Sequence, residues 1–273
     1  MIVSVSRRSD IPAFHSDWFM EGIQKGWVEV PNPYRPGFPR TVSLKKNDVD
    51  AFVFWTRFPG PLLGCLDVLD RNHIPYYFMW TINHYPDFLE PNMVDLDLQL
   101  KSMRDLASRI GPSRVVWRYD PIIISRETGI DFHKKNFKTL SALISPFAHR
   151  VIISFLDFYR KLNNRFRKIG ITPVNIREDS SQLMELISFL YETAGQQGME
   201  IQTCAEETLD AQSPIKGGKC IDDGLLNRIF GLEIDYIKDP GQRKACLCQK
   251  SVDIGSYDSC GFRCVYCYAL QKF

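Results

Sequence analysis

No apolar run in this 273-residue chain approaches the roughly 18 residues that a bilayer crossing requires, so no membrane span is expected. A dominant charge sign is also missing. The 34 basic and 32 acidic side chains leave a formal net charge of +2, which gives no global attraction to nucleic acid or to a membrane surface. The opening residues, Met1-Ile2-Val3-Ser4-Val5-Ser6-Arg7-Arg8, lack the basic-then-apolar order of a secretory signal. A reducing cytoplasm is therefore the expected compartment, and there eight cysteines point to metal sooner than to disulfides. Internal repeats and low-complexity tracts are absent, and no clear linker precedes residue 205 or so.

What is present is a rhythm of short apolar runs alternating with amphipathic stretches. Strands are predicted at 2–5, 51–55, 76–80, 114–117, 151–155, 199–203 and 251–255. Helices are predicted at 17–25, 62–71, 95–110, 132–144, 158–169, 223–230 and from a Ser180 or Ser181 cap to 196. The four prolines in 30–40 predict a loop. This alternation implies an α/β fold with parallel strands and outer helices, a TIM-like (β/α) barrel, partial or closed. Residues 1–204 form its expected body and 205–250 a cysteine-containing insertion. Residues 251–273 supply the last strand and a terminal loop that complete the same barrel.

That terminal loop carries Cys260, Cys264 and Cys267 at C-x3-C-x2-C spacing, with Tyr266 just before the third. A 4Fe–4S cluster normally takes four cysteines, so three would leave one iron open to a chelating ligand. Half of a zinc site or a disulfide framework are the plainer alternatives. The spacing resembles the signature of the radical S-adenosylmethionine (SAM) enzymes. That resemblance implies a cluster whose open iron takes the amino and carboxylate groups of SAM, and reductive cleavage of SAM to a 5′-deoxyadenosyl radical. In that superfamily the motif follows the first strand. Its late position here implies a circularly permuted barrel, which chain ends lying close together would permit.

Barrels of this type work at the carboxyl ends of their strands. Those ends carry Arg7, Arg8 and Asp10; Arg57; Asn83; Arg118 and Asp120; Asp157; and Cys204, Glu206 and Glu207. The arginines are candidates to clamp a carboxylate, because a guanidinium offers a bidentate fork. Asp10, Asn83 and Asp120 are candidates for the ribose or amino group, and Tyr266 for packing near the adenine. Each could equally be an ordinary polar loop residue or part of a structural ion pair.

Cys204, Cys220, Cys246 and Cys248 supply enough ligands for an auxiliary iron–sulfur cluster or a zinc ion, and a metal staple would hold the loose 205–250 segment in shape. Buried free cysteine is the alternative, and Cys65, in an apolar helix, is read as core.

The chain resembles domain-of-unknown-function family 1848, a bacterial family, nearly end to end. The likeness rests on Ser6-Arg7-Arg8-Ser9-Asp10-Ile11-Pro12, Phe54-Trp55-Thr56 and Trp117-Arg118-Tyr119-Asp120-Pro121. It continues through Lys238-Asp239-Pro240-Gly241-Gln242-Arg243 to the terminal cysteine motif with Tyr268-Ala269. That family looks like a radical-SAM branch distantly similar to the spore photoproduct lyase group. The likeness implies a flavodoxin or ferredoxin as electron donor.

Three functions compete: a radical SAM enzyme acting on an unknown substrate, a metal protein that binds nucleic acid or a small ligand, and a zinc- or iron–sulfur-stabilised barrel without redox chemistry. The basic run 159–168 is the only stretch that favours nucleic acid, and on a helix much of it would be a solvated face.

Overall fold

The computed structural model describes residues 1–32, 35, 37–206, 209 and 213–271; Pro33, Pro36 and Glu207 lie outside the described residues. The elements run β1 (Ile2–Val5), α1 (Ile11–Phe14), α2 (Ser16–Lys25), β2 (Trp27–Val30), β3 (Arg40–Ser43), β4 (Ala51–Thr56), α3 (Gly60–Leu63), α4 (Leu66–Arg71) and β5 (Tyr76–Thr81). There follow α5 (Leu96–Ile110), β6 (Val115–Ile122), α6 (Ile130–Ile144), β7 (Arg150–Phe155), α7 (Arg160–Lys168), α8 (Ser180–Gln196), β8 (Glu200–Thr203), β9 (Lys216–Gly217), α9 (Asp223–Phe230) and β10 (Val252–Asp253).

Eight strands form one sheet in the order β10-β1-β4-β5-β6-β7-β8-β9, and every neighbouring pair is parallel. Long stretches such as Phe52-Val53-Phe54 and Tyr76-Tyr77-Phe78-Met79-Trp80 are wholly buried, as strands covered on both faces must be. One face packs Phe54, Phe78, Trp117 and Ile153 against α2, α4, α5, α6 and α8, and Cys65 joins the edge of that core. The other face carries Val53, Trp55, Met79, Val116 and Ile152. It packs on α9 and on the segment that holds Cys220, Cys246 and Cys248. A third apolar cluster lies above the strand ends, where Leu162 and Phe166 of α7 meet Tyr85, Leu89 and the loop 260–267.

Three expectations change. Among the described residues the sheet is open: β9 and β10 stand at its edges, and no pairing joins them into a closed barrel. It has eight strands and not seven, because β9 adds two residues from the cysteine-containing insertion, where no strand was expected. The expected proline loop connects two strands that were not expected, β2 paired antiparallel with β3, whose alternation buries Val28, Val30 and Val42.

Local chemistry sets the element boundaries. Asp10 caps α1, accepting from the Ala13 N–H at 3.1 Å, with a proline in the first turn. Asp179, one residue before the expected serines, caps α8 through the Gln182 N–H at 3.0 Å. Gly26 ends α2 at φ +80°, a backbone region that favours glycine.

Candidate functional site: two cysteine groups on one cavity

Eight parallel strands present their carboxyl ends to one edge of the sheet, and a cavity of about 590 Å³ opens there. That volume lies within the usual range for small-molecule sites. Arg7, Arg8, Asp10, Arg57, Arg118, Asp120 and Tyr266 line it, and so do both cysteine groups: Cys260, Cys264 and Cys267, and Cys204, Cys220, Cys246 and Cys248.

Asn83 does not line the cavity. It is buried behind it, with its side chain spent on the backbone N–H and C=O of Asp120, at 2.8 and 2.9 Å, and on the Tyr266 hydroxyl at 3.1 Å. There it fixes the register of Asp120 and the ring of Tyr266.

The cysteine loop follows β10, which pairs with β1 through Val3↔Val252 and Ser4↔Asp253. Asp253 is the hub of that seam. Its carboxylate accepts from Ser4 Oγ (2.9 Å), Ser6 Oγ (2.7 Å), the Arg7 N–H (2.8 Å) and Arg8 Nε (3.0 Å). Burial opposes its ionisation, but Arg8 and these donors outweigh it and hold the carboxyl below its usual range. An acid within a strand, flanked by Val252 and Ile254, was the sequence signal for it.

The loop is clamped largely by donors aimed at its backbone carbonyls. Arg165 of α7 reaches Val265 O (3.3 Å), Cys267 O (2.7 Å) and Leu270 O. Lys161 donates to Tyr268 O, Asn92 to Gly261 O (2.9 Å), and a ring nitrogen of His15 contacts Ser259 O at 2.9 Å. The basic run read as a solvated face is thus divided, because Arg165 is buried under the loop while Arg160, Arg167 and Lys168 stay exposed. Spacing gave the clue, since Arg165 lies three residues from Leu162 and next to Phe166 on the apolar stripe of α7.

With its carbonyls tied down, the loop places all three of its cysteines along the cavity. The turn closed by Cys267 N–H→Cys264 O (3.0 Å) sets the second and third cysteines one turn apart. Burial pushes the Cys260 thiol up to about 11, although backbone N–H groups of Phe262 and Asp10 oppose it. Burial also drives Cys264 upward, partly offset by Arg57. Arg57 forms an ion pair with Glu90 (2.6 Å) and donates to the Tyr266 hydroxyl, which also contacts Glu90. Glu90 lies in the loop after β5, and no sequence pattern marks it. Burial pushes Asp10 up to about 7 even though it accepts from Thr56 Oγ1 (2.9 Å) and the Arg57 N–H (2.6 Å).

Arg118 pairs with Asp120, which also accepts from Ser154. Arg7 pairs with Asp239 at 3.1 Å. The two guanidinium carbons lie 5.8 Å (Arg7) and 4.7 Å (Arg118) from the Trp55 ring centroid. Arg7 Nε, Arg118 Nε and Trp55 Nε1 are buried without a hydrogen-bond partner.

The four other cysteines lie close together along the same cavity. Cys220 donates to Cys204 at 3.5 Å and also contacts Cys248, which contacts Cys246. These contacts lower Cys204 and Cys248, which accept, and raise Cys220 and Cys246, which donate. Among the described residues, no group of three or more His, Cys, Asp or Glu side chains is already gathered as a metal cage. The trio fits a cubane in its donor chemistry, with three thiols on one clamped loop facing one cavity, since a cubane takes each thiolate on a separate iron. No helix among the described residues is long and apolar enough to cross a membrane.

A family model described as a domain of unknown function (DUF1848) matches residues 2–269. No curated protein and no solved structure matches the chain.

Proposed function

The chain belongs to the DUF1848 family, and we propose that it is a radical SAM enzyme built on a circularly permuted, partial (β/α) barrel. Cys260, Cys264 and Cys267 would hold a 4Fe–4S cluster. When bound, that cluster supplies the electron that cleaves SAM reductively and starts radical chemistry on a substrate.

The observation that carries this reading is the place of β10. It lies parallel beside β1 at the sheet edge, and the remaining strands follow in chain order. Joining the chain ends on paper would make β10 the first strand of an ordered series, with the three-cysteine loop directly after it. This is where the resemblance to the superfamily expects the motif.

The chain's own residues divide the remaining work. Arg165, Lys161 and Asn92 hold the loop backbone, so cluster loading costs little ordering there. Arg57 keeps a positive charge near Cys264, where thiolate charge gathers, and Glu90 and Tyr266 fix its position. Arg8, Asp120, Ser154 and Asp157 line the cavity and supply polar contacts for a zwitterionic, hydroxylated ligand. A flavodoxin or ferredoxin is the electron donor this chemistry calls for. The non-redox alternative separates by colour, because zinc alone leaves the protein colourless.

The test is anaerobic reconstitution with iron and sulfide, addition of dithionite and SAM, and assay for 5′-deoxyadenosine. Wild type should release it and Cys264→Ala should not. A fully loaded wild type that releases none with SAM would count heavily against the proposal.

A further inference from the structure

We propose that Cys204, Cys220, Cys246 and Cys248 bind a single tetrahedral zinc ion, a structural site separate from the three-cysteine loop and independent of the SAM reading.

Three observations carry it. The first is sulfur spacing. Cys204 and Cys220 are 3.5 Å apart, and contacts continue through Cys248 to Cys246. Four thiolates at about 2.3 Å around one ion stand roughly 3.8 Å from one another, close to the Cys204–Cys220 separation. A cubane spreads its thiolates over four separate irons and so needs them wider apart.

The second is the backbone that carries them. Cys204 follows β8, Cys220 follows β9, and Cys246 and Cys248 belong to a segment after α9 that the structure holds with few regular bonds. Its bonds include Asp239 N–H→Cys248 O (3.0 Å), Lys250 N–H→Ile237 O (2.7 Å), Cys246 N–H→Arg243 O (3.0 Å) and Gln249 N–H→Ile221 O (2.9 Å), with a single antiparallel bridge between Lys238 and Gln249. The Tyr77 hydroxyl donates to Cys220 O at 2.6 Å, so one ligand is fixed to the centre of the sheet. An irregular segment with two buried cysteines gains its shape from an ion that ties it, with Cys204 and Cys220, to the sheet.

The third is charge. A divalent ion with four thiolates carries a net charge of about −2, which is costly where it is buried. Arg7 lies within electrostatic reach of Cys248, and Arg118 and Arg243 within reach of Cys204. Arg7 lies by Asp239 and Asp253 and Arg118 by Asp120, yet each keeps a buried Nε–H that no acceptor meets. A tetrathiolate site gives those two donors an anionic neighbour.

The test isolates this site by removing the other. A full-length Cys260→Ser/Cys264→Ser/Cys267→Ser variant, grown with zinc and iron and purified anaerobically, is assayed for metals and acid-labile sulfide. About one zinc per chain, with no iron–sulfur absorption, is expected. Adding Cys246→Ser and Cys248→Ser should lower zinc at least tenfold. Freely titrating thiols with no zinc, or iron with sulfide in the triple variant, would overturn the proposal. If a variant fails to fold, the zinc absorption edge of the wild type decides. An all-sulfur shell near 2.3 Å supports the site and a nitrogen- or oxygen-rich shell rejects it. Failure here leaves 5′-deoxyadenosine release by the wild type untouched, so the two proposals stand or fall separately.

Discussion

Arg57 and Glu90 form a 2.6 Å ion pair close to Cys264, with Glu90 almost wholly enclosed and Arg57 nearly so. Glu90→Gln removes the answering charge and leaves a buried guanidinium. A loss of about 3–5 kcal/mol is expected in urea unfolding of the metal-free protein. The double variant Arg57→Met/Glu90→Leu should recover most of it. A loss under about 1 kcal/mol in the single variant would show that the pair does not compensate the buried charge.

Arg165 makes three of the bonds that hold the cysteine loop. Arg165→Met keeps the apolar stem and removes the donors. The sheet should retain its far-ultraviolet signature, while iron bound after reconstitution falls several-fold. Undiminished loading would remove Arg165 from the clamp.

His133 is buried between the Tyr119 hydroxyl (2.8 Å) and Ile123 O (3.0 Å), and burial lowers its pKa from 6.5 to about 4. The fold therefore holds it neutral. Its contribution is complete above pH 6.5 and is lost as pH falls toward 4. A shift of that size corresponds to about 3 kcal/mol. Unfolding free energy measured from pH 7 to pH 4 should decline in wild type. It should decline by less in His133→Gln, where no ring is left to titrate.

A Cβ on Gly255 would stand 2.0 Å from Ser6 Oγ and 2.5 Å from Ser6 Cβ. The hydroxyl can rotate, but Ser6 Cβ can clear only if backbone shifts. Gly255→Ala should cost about 1–3 kcal/mol and lower the melting temperature, because it pries at the Ser6–Asp253 bond. An unchanged melting temperature would mean that the seam between β1 and β10 yields freely.

The six longer strands of the sheet were legible because runs such as Tyr76-Tyr77-Phe78-Met79-Trp80 are buried on both faces, and the helices because their apolar stripes repeat at helical spacing. β9 escaped because two residues carry no period, and the β2–β3 hairpin because prolines mask its connection. Openness of the sheet depends on pairing between distant edges, which no local pattern encodes. In the candidate site, the cysteine spacings and the charged strand ends stood out. Glu90 did not, since its importance comes only from meeting Arg57 and Tyr266 in space. Asn83 was visible, but its role was not, because a polar side chain at a strand end reads alike whether it faces a ligand or its own backbone.

The bond between Ser6 and Asp253 spans 247 positions of chain. A contact of that sequence separation is non-local, and pairings of this kind are slow to form. The loop bearing Cys260, Cys264 and Cys267 hangs from that fastening. A cofactor held by that loop would depend on the seam between β1 and β10 being closed. With that seam open, the same three thiols would sit on a loop that has lost its anchor.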